Sequence, residues 1–217
     1  IHELHVEDGE TEFLPAALSR QAAVTFNQGL PRDLSIRFDA YYRKLTRLHP
    51  RYENLFNPIE LYPEAYYEKG LELITSSIRQ KGIDQVTPAI KSLNYLANIL
   101  ARAEATRVGA QEAILLNNEG HVSECSGDNI FFVKEGRIYT PSRSTGILEG
   151  VTRQVVLELC KDKLKNEVVE RSFPRWDLYS ADEVFLTGTG AEVIAGVKID
   201  GRAIGAGVAG PITKKVM

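Results

Sequence analysis

The chain has 217 residues, of which 43% are hydrophobic, and its 26 basic and 29 acidic side chains give a formal net charge of −3. This length and hydrophobic fraction suit one large domain or two small ones, and the lack of a basic excess argues against a nucleic-acid-binding protein. No apolar run predicts a membrane span and the two cysteines form no CxxC pair, so we expect a cytoplasmic protein with reduced thiols.

The first 57 residues are predicted to form an atypical, helical N-terminal segment. Its opening "HELH" (residues 2–5) lacks the HExxH spacing of a zinc site, so no metal is predicted. Two stretches with helical character, "FLPAALSRQAAVTF" and "SIRFDAYYRKLTRLHPRY", are separated by the turn-forming "NQGLPRD". The second interleaves basic residues with tyrosines. We interpret it as a solvated helix face with tyrosine anchors, because the chain lacks the basic total that nucleic-acid binding requires.

Regular elements follow from residue 58 onward. "YPEAYYEKG" predicts a short helix ended by Gly70, and "LELITSSIRQ", which alternates and is rich in β-branched residues, predicts a strand. "AIKSLNYLANILARAEA" (residues 89–105) predicts an amphipathic helix with Lys91 at its front edge. The side chains predicted to form its buried stripe are Leu93, Leu96, Leu100 and Ala103.

The remaining half of the chain, from residue 112, is predicted to form mainly short strands. "EAILLN" and "HVSEC" are joined by "NEG", and "NIFFV" and "RIYTP" by "KEG", so each pair predicts a tight antiparallel hairpin. "GVTRQVVLELCKDKL" predicts a helix, "EVVERSF" a strand and "RWDLYSA" a short helix. "EVFLTGTGAEVIAGVKIDGRAIG" predicts two or three further strands. Helices interspersed with mostly antiparallel hairpins indicate an α+β domain.

Two charged residues of this region are candidates for chemistry. A lysine held against apolar surroundings has a lowered pKa and can form a Schiff base with an aldehyde, and Lys91 is the candidate. Glu124, in "SECSGDN", lies on an alternating strand. A carboxylate that points inward needs a cationic partner, of which a protonated ring nitrogen is one. Taken singly, each residue is more often a solvated surface charge.

Two glycine-containing segments are candidates for anion binding. Gly150, Val151 and Thr152 lie at the start of a predicted helix, where N–H groups, a hydroxyl and the positive helix end can cradle a phosphate. In "TGTGAE", glycines permit a tight turn, and Thr187 and Thr189 bring hydroxyls to it. An ordinary helix cap and an ordinary glycine turn are the alternatives.

The order of these features resembles the large domain of fold-type IV pyridoxal 5′-phosphate (PLP) enzymes. The resemblance extends from about Pro58 to Lys214 and is strongest to the branched-chain amino acid aminotransferases. The matching segments are "PIELYPEAYYEKG", "IKSLNYLANILARAEA", "EAILLNNEGHVSECSGDNIFFVKEGRIYTP", "GILEGVTRQVVLEL" and "ADEVFLTGTGAEV" with the following "IDGRAIG" and "GPITKK". It implies an α+β large domain over residues 58–217, with a mostly antiparallel sheet or pseudo-barrel surrounded by helices.

The resemblance also implies roles for individual residues. Lys91 matches the lysine that bonds covalently to PLP and carries the proton, and Tyr95 matches the tyrosine that binds the phenolic oxygen of the cofactor. Glu124 matches the partner of the pyridine nitrogen. Gly190 and Ala191 match the turn whose backbone meets the substrate carboxylate.

The implied phosphate site is built from two segments. Gly150, Val151 and Thr152 match the phosphate-binding helix start, and Thr189 matches a second phosphate contact.

The small N-terminal domain of the family should precede residue 58, but its glycine-rich opening and its pocket-lining arginine strand are not recognisable. "FDAYYRKL" (residues 38–45) offers Arg43 or Lys44 in place of the family's phosphate-binding arginine.

The activity implied by the resemblance is transamination between branched-chain L-amino acids and 2-oxoglutarate by a homodimer or larger homo-oligomer. Three alternatives stay open. The same fold serves D-amino-acid transaminases and aminodeoxychorismate lyases, and a chain without the small domain could act as a non-catalytic binding or assembly module. The "NYL" after the lysine favours the branched-chain group.

Overall fold

A computed structural model describes residues 62–84, 87–92 and 94–217, together with two short strands near the start of the chain. These strands, β1 (Val6–Glu7) and β2 (Glu10–Thr11), pair in antiparallel fashion. The chain divides into two compact units, Ile1–Glu60 and Leu61–Met217, whereas the sequence places the boundary between residues 57 and 58. The helices predicted within the first 57 residues, with Arg43 and Lys44, lie outside the described residues.

The second unit is built on a nine-stranded mixed sheet. Its strands are β3 (Leu71–Arg79), β4 (Glu112–Leu116), β5 (Val122–Cys125), β6 (Asn129–Lys134), β7 (Arg137–Thr140), β8 (Val168–Glu170), β9 (Glu183–Gly188), β10 (Glu192–Ile199) and β11 (Arg202–Ala203). They follow the order β5-β4-β3-β10-β9-β6-β7-β8, and β11 pairs with β10. The predicted hairpins β4–β5 and β6–β7 are confirmed. Only β3–β4, β3–β10 and β7–β8 pair in parallel among the described strands of this sheet.

Five α-helices accompany this sheet in the described residues. They are α1 (Glu64–Lys69), α2 (Leu96–Arg107), α3 (Val151–Glu158), α4 (Arg175–Tyr179) and α5 (Pro211–Val216). A 3₁₀ turn spans Arg143–Thr145, and a π-helical turn, Leu159–Lys163, continues α3. Gly70 ends α1 with a φ of 78°, as predicted. Within the described ranges, no helix combines the length and apolarity that crossing a bilayer requires.

The two faces of the sheet carry different cores. Side chains alternate along β6, so Ile130 and Phe132 join a large core on one face, while Phe131 packs with α3 on the other face. Along β4, Ile114 joins the same large core, and Leu115 packs on the α2 side. Helices α2 and α3 therefore cover the same face of the sheet at different places. This α+β arrangement confirms the predicted fold class.

Helix α2 differs from its prediction in start and in buried face. It begins at Leu96, after the segment that carries Lys91. Its buried side chains are Ala101 and Ala105, which pack with strand β4, whereas Leu96 is 64% exposed. Alanines spaced by four residues share one face and let the helix backbone approach the strands closely. The predicted leucine stripe is therefore wrong.

The other members of that stripe follow the same pattern. Leu100 is 46% exposed and Ala103 is exposed, and Leu93 lies outside the described residues. Polar contacts also hold the buried side of α2 against β3. Glu104 accepts hydrogen bonds from the Ser76 hydroxyl (2.6 Å) and the Ser77 amide (2.9 Å). Hydrophobic periodicity alone cannot identify a helix face that packs through alanine, serine and glutamate.

Replacing Glu183 by alanine is expected to lower the free energy of unfolding by about 2–3 kcal/mol. The buried Glu183 carboxylate accepts the N–H groups of Ile212 (3.0 Å) and Thr213 (2.7 Å) at the start of α5. A negative charge there offsets the helix dipole and pairs groups that would otherwise be buried without partners. Urea denaturation measures the loss, with Glu68→Ala on the exposed side of α1 as the control. Equal losses in both variants would refute this capping role.

Candidate active site

Glu124 is a buried carboxylate on the edge strand β5. It lies opposite Leu115 of β4, so its side chain points to the sheet face that α2 and α3 cover. The residue is only 8% exposed. A carboxylate in this position loses most of its hydration and requires hydrogen-bond donors or a cation.

Three donors surround the Glu124 carboxylate. Gln80 Nε2 donates to Oε1 at 2.6 Å, and the Leu148 amide donates to Oε2 at 2.8 Å. Asn129 Nδ2 lies 3.5 Å from Oε2. Burial raises the pKa of Glu124 from 4.5 to about 7, although the Leu148 and Gln80 donors and two nearby lysines oppose the shift. Within the described residues no cationic side chain forms an ion pair with Glu124, so this site can accept a cationic group of a ligand.

Polar side chains continue from Glu124 across the same face of the sheet, and we call Glu124, Asn129 and Thr187 together the polar floor. Asn129 of β6 lies directly opposite Thr187 of β9, which places both side chains on the same face of the sheet. Asn129 Nδ2 also donates to the Leu148 carbonyl at 2.8 Å. Thr187 Oγ1 is buried and has no hydrogen-bond partner among the described residues. A buried hydroxyl without a hydrogen-bond partner indicates a position where a further polar group is needed to satisfy it.

Helix α3 begins beside this floor. Gly150 is its N-cap residue and has no side chain with which to cap the first turn, and that turn carries no acidic residue. Val151 and Thr152 are half-buried. A Cβ added to Gly150 would lie 2.3 Å from Asn129 Oδ1, so the glycine allows the helix start to approach the floor. The positive end of α3 therefore suits an anionic group, as the sequence predicts.

Replacing Gly150 by alanine is expected to displace Asn129 and to destabilise the protein by about 1–3 kcal/mol. The added methyl cannot coexist with Asn129 Oδ1 at 2.3 Å, so the hydrogen bond to the Leu148 carbonyl would be lost or distorted. Thermal unfolding measures the effect. Gly127→Ala is the matched control, since a Cβ there meets no atom within 4 Å. A Gly150→Ala variant as stable as this control would contradict the close approach.

Lys91 and Tyr95 precede α2 near the same site. Lys91 is exposed, so the apolar surroundings expected for it are not present and that expectation is wrong. It nevertheless lies close enough to Glu124 for its charge to lower the pKa of that carboxyl. Tyr95 is the N-cap residue of α2 and is 37% exposed.

A second lysine lies beside the first. Lys81 follows β3 and is half-buried. Its Nζ donates to the Asn94 carbonyl and lies 5.9 Å from the Tyr95 ring centroid. The Lys81 charge also lowers the pKa of Glu124. Two lysines therefore lie near enough to the buried Glu124 carboxylate for their charges to act on it.

The turn after β9 has a mixed environment. Thr189 is exposed, Gly190 is half-buried and Ala191 is buried. A Cβ on Gly188 would lie 2.0 Å from Asp128 Oδ1, so the turn packs directly on this carboxyl group. Burial and the negative charge of Glu112 raise the pKa of Asp128 to about 7.

The structure brings Glu124, Gly150 and the two lysines together, and it adds residues that the sequence did not indicate. Gln80 and Asn129 contact Glu124 but belong to "ITSSIRQ" and "SGDN", where nothing in the spacing distinguishes them. Gln80 follows a strand that already carries several polar residues, and Asn129 is the first residue of an apolar strand, so neither stands out. No described contact joins Thr189 to Glu124.

Comparison with known proteins gives a family for this arrangement. Residues 34–199 match the family described as Amino-transferase class IV. A putative branched-chain-amino-acid aminotransferase of Methanocaldococcus jannaschii is 47% identical over 154 residues, which are 71% of this chain and 53% of that protein. A probable branched-chain-amino-acid aminotransferase of Aquifex aeolicus is 40% identical over 215 residues, covering 94% of this chain and 69% of that protein.

Solved structures agree with these relatives. A branched-chain amino acid aminotransferase from Thermobaculum terrenum, determined in its PLP form, matches with a TM-score of 0.68 and 38% identity. The match covers 72% of this chain and 51% of that structure. The chain thus spans about half the length of the Methanocaldococcus and Thermobaculum proteins.

Proposed function

The chain belongs to the class IV amino-transferase family, and on that basis we propose that it binds PLP and transfers the amino group of branched-chain L-amino acids to 2-oxoglutarate. The names of the relatives support branched-chain amino acids as donors. We propose the cytoplasm as its location and a homodimer or larger homo-oligomer as its assembly. The chain spans about half of two of the proteins it matches, so its activity, substrates, location and assembly are proposals.

The observation that carries the proposal is the buried Glu124 carboxylate without a cationic partner in the described residues. Its environment suits a protonated pyridine nitrogen, which would supply the missing positive charge. The start of α3, with its glycine N-cap and a first turn that carries no acidic residue, suits the phosphate of the same molecule. When bound, PLP supplies an electron sink that stabilises negative charge on the substrate carbon. The residues present therefore fit this cofactor.

The chain's own residues divide the remaining tasks. Glu124 holds the ring nitrogen, Gly150 and the following two residues hold the phosphate, and Thr189 adds a second phosphate contact. Lys91 Nζ is the group that would bond to the cofactor and move the proton, and its charge lies near enough to act on Glu124, which would hold the ring. Tyr95 orients the phenolic side of the cofactor.

The substrate is held by a different part of the site. The Gly190–Ala191 backbone would receive the carboxylate of the amino acid, and the close packing of Gly188 on Asp128 holds the start of this turn in place. Holding the substrate carboxylate and the cofactor ring at two fixed places aligns the reacting carbon with Lys91 Nζ. The fit of the substrate's aliphatic side chain in the rest of the site then determines whether branched-chain or other amino acids are accepted.

The test titrates PLP into the purified chain and follows visible absorbance, then reduces the product with borohydride and locates the modified peptide by mass spectrometry. Uptake of PLP with modification of Lys91 supports the proposal. L-Leucine and D-alanine, each with 2-oxoglutarate, then separate a branched-chain aminotransferase from a D-amino-acid transaminase. A chain that folds without taking up PLP would instead be a binding or assembly module.

A further inference from the structure

We infer that the side-chain amides of Gln80 and Asn129 are positioning residues that hold the Glu124 carboxylate in one orientation while leaving its negative charge available to the cofactor. This inference rests on the proposed function, because it concerns the group that Glu124 binds. Neutral amides can orient a carboxylate without cancelling its charge.

Gln80 is fixed from both ends of its amide. The residue is 2% exposed, and its Nε2 donates to Glu124 Oε1 at 2.6 Å. Its Oε1 accepts the amide of Lys81 at 3.0 Å, which identifies Nε2 as the atom that faces the carboxylate. The Gln80 backbone N–H donates to the Leu116 carbonyl at 2.9 Å. Main chain and side chain are thus both restrained, and the donor has little freedom to turn away.

Asn129 acts on the second carboxylate oxygen through the backbone of Leu148. Its Nδ2 donates to the Leu148 carbonyl at 2.8 Å, and the Leu148 amide donates to Glu124 Oε2 at 2.8 Å. Asn129 Nδ2 also lies 3.5 Å from Oε2, which closes a three-membered set of contacts. Asn129 Oδ1 also packs against Gly150, so the same amide group contacts both the Glu124 carboxylate and the start of α3.

The two amides together fix the plane of the carboxylate. One oxygen is held by Gln80, just after β3, and the other by the Leu148 amide, so rotation of the Glu124 side chain would break contacts on both sides. The described contacts contain no cation in ion-pair distance. The donors therefore fix the direction of the carboxylate and favour its charged form, which are two properties that binding a protonated ring nitrogen requires.

The test replaces Gln80 by methionine, which preserves the length of the side chain and removes its donor. Carbon-13 NMR of cofactor-free protein follows titration of the Glu124 carboxyl, assigned by comparison with Glu124→Gln. We expect the Glu124 pKa to rise further by about one pH unit, because a donor to the charged form is lost. We also expect PLP to bind about tenfold more weakly.

Gln154→Met is the matched control, since Gln154 is exposed on α3 and contacts Glu158 instead. Gln80→Asn provides a second variant, because it keeps the amide but shortens its reach; it should shift the pKa of Glu124 in the same direction. A Glu124 titration in both Gln80 variants that matches the Gln154→Met control would overturn the inference. Failure of the wild-type chain to take up PLP would instead contradict the proposed function, and the cofactor-free titration would still decide the role of Gln80.

Discussion

Replacing Lys91 by alanine is expected to abolish covalent attachment of PLP and to lower transamination by about four orders of magnitude. The variant loses both the amine that bonds to the cofactor and the group that moves the proton. Non-covalent PLP binding should persist, because Glu124 and the start of α3 are unchanged. Borohydride reduction followed by peptide mass analysis measures attachment, and single-turnover assays with L-leucine measure the rate.

Lys81 provides the sharpest control for this prediction. It lies beside Tyr95 and, like Lys91, its charge acts on Glu124, so proximity alone does not separate the two lysines. The Nζ of Lys81 is already used as a donor to the Asn94 carbonyl, whereas Lys91 is exposed. We expect Lys81→Ala to keep the borohydride-dependent label on Lys91. A label on Lys81 in the wild-type protein would overturn the assignment of Lys91.

The strand framework could be predicted because its signals are local. Alternating β-branched residues and glycine turns determine hairpins within about ten residues of sequence, as in β4–β5 and β6–β7. The parallel pairings were harder to predict from the sequence, because β3 pairs with β10, which lies more than a hundred residues later in the chain. The buried face of α2 was mispredicted for a related reason: packing through Ala101 and Ala105 depends on the strand beneath them.

The site divides in the same way. Neither Glu124 nor Gly150 is distinctive alone, and the order of motifs is what singled them out as candidates. Gln80 contacts a carboxylate 44 residues away, and a glutamine at a strand end carries no signal of that contact. Lys91 stays a candidate for covalent attachment, but it is exposed and precedes the helix, which begins at Leu96, so the apolar surroundings expected from the sequence are wrong.

The stability of the cofactor-free protein is expected to fall as pH rises from about 4.5 to about 7, by up to about 3 kcal/mol from Glu124 alone. Burial raises the pKa of this carboxyl to about 7 in the folded chain, against an ordinary value of 4.5. Between these values the folded state binds more protons than the unfolded state, so raising the pH favours unfolding. Asp128, whose pKa is also raised to about 7, contributes in the same direction.

Urea denaturation of wild-type and Glu124→Gln proteins between about pH 5 and about pH 8 separates these contributions. The glutamine variant should lose the part of the pH dependence that Glu124 causes, and Asp128→Asn should lose the other part. Saturating PLP should stabilise the wild type most at the upper end of this range, because the ionised carboxylate then gains a cationic partner. The variant should gain less, since a neutral amide cannot form that ion pair. If Glu124→Gln kept the full pH dependence of the wild type, Glu124 would not be the buried ionisable group that the cofactor meets.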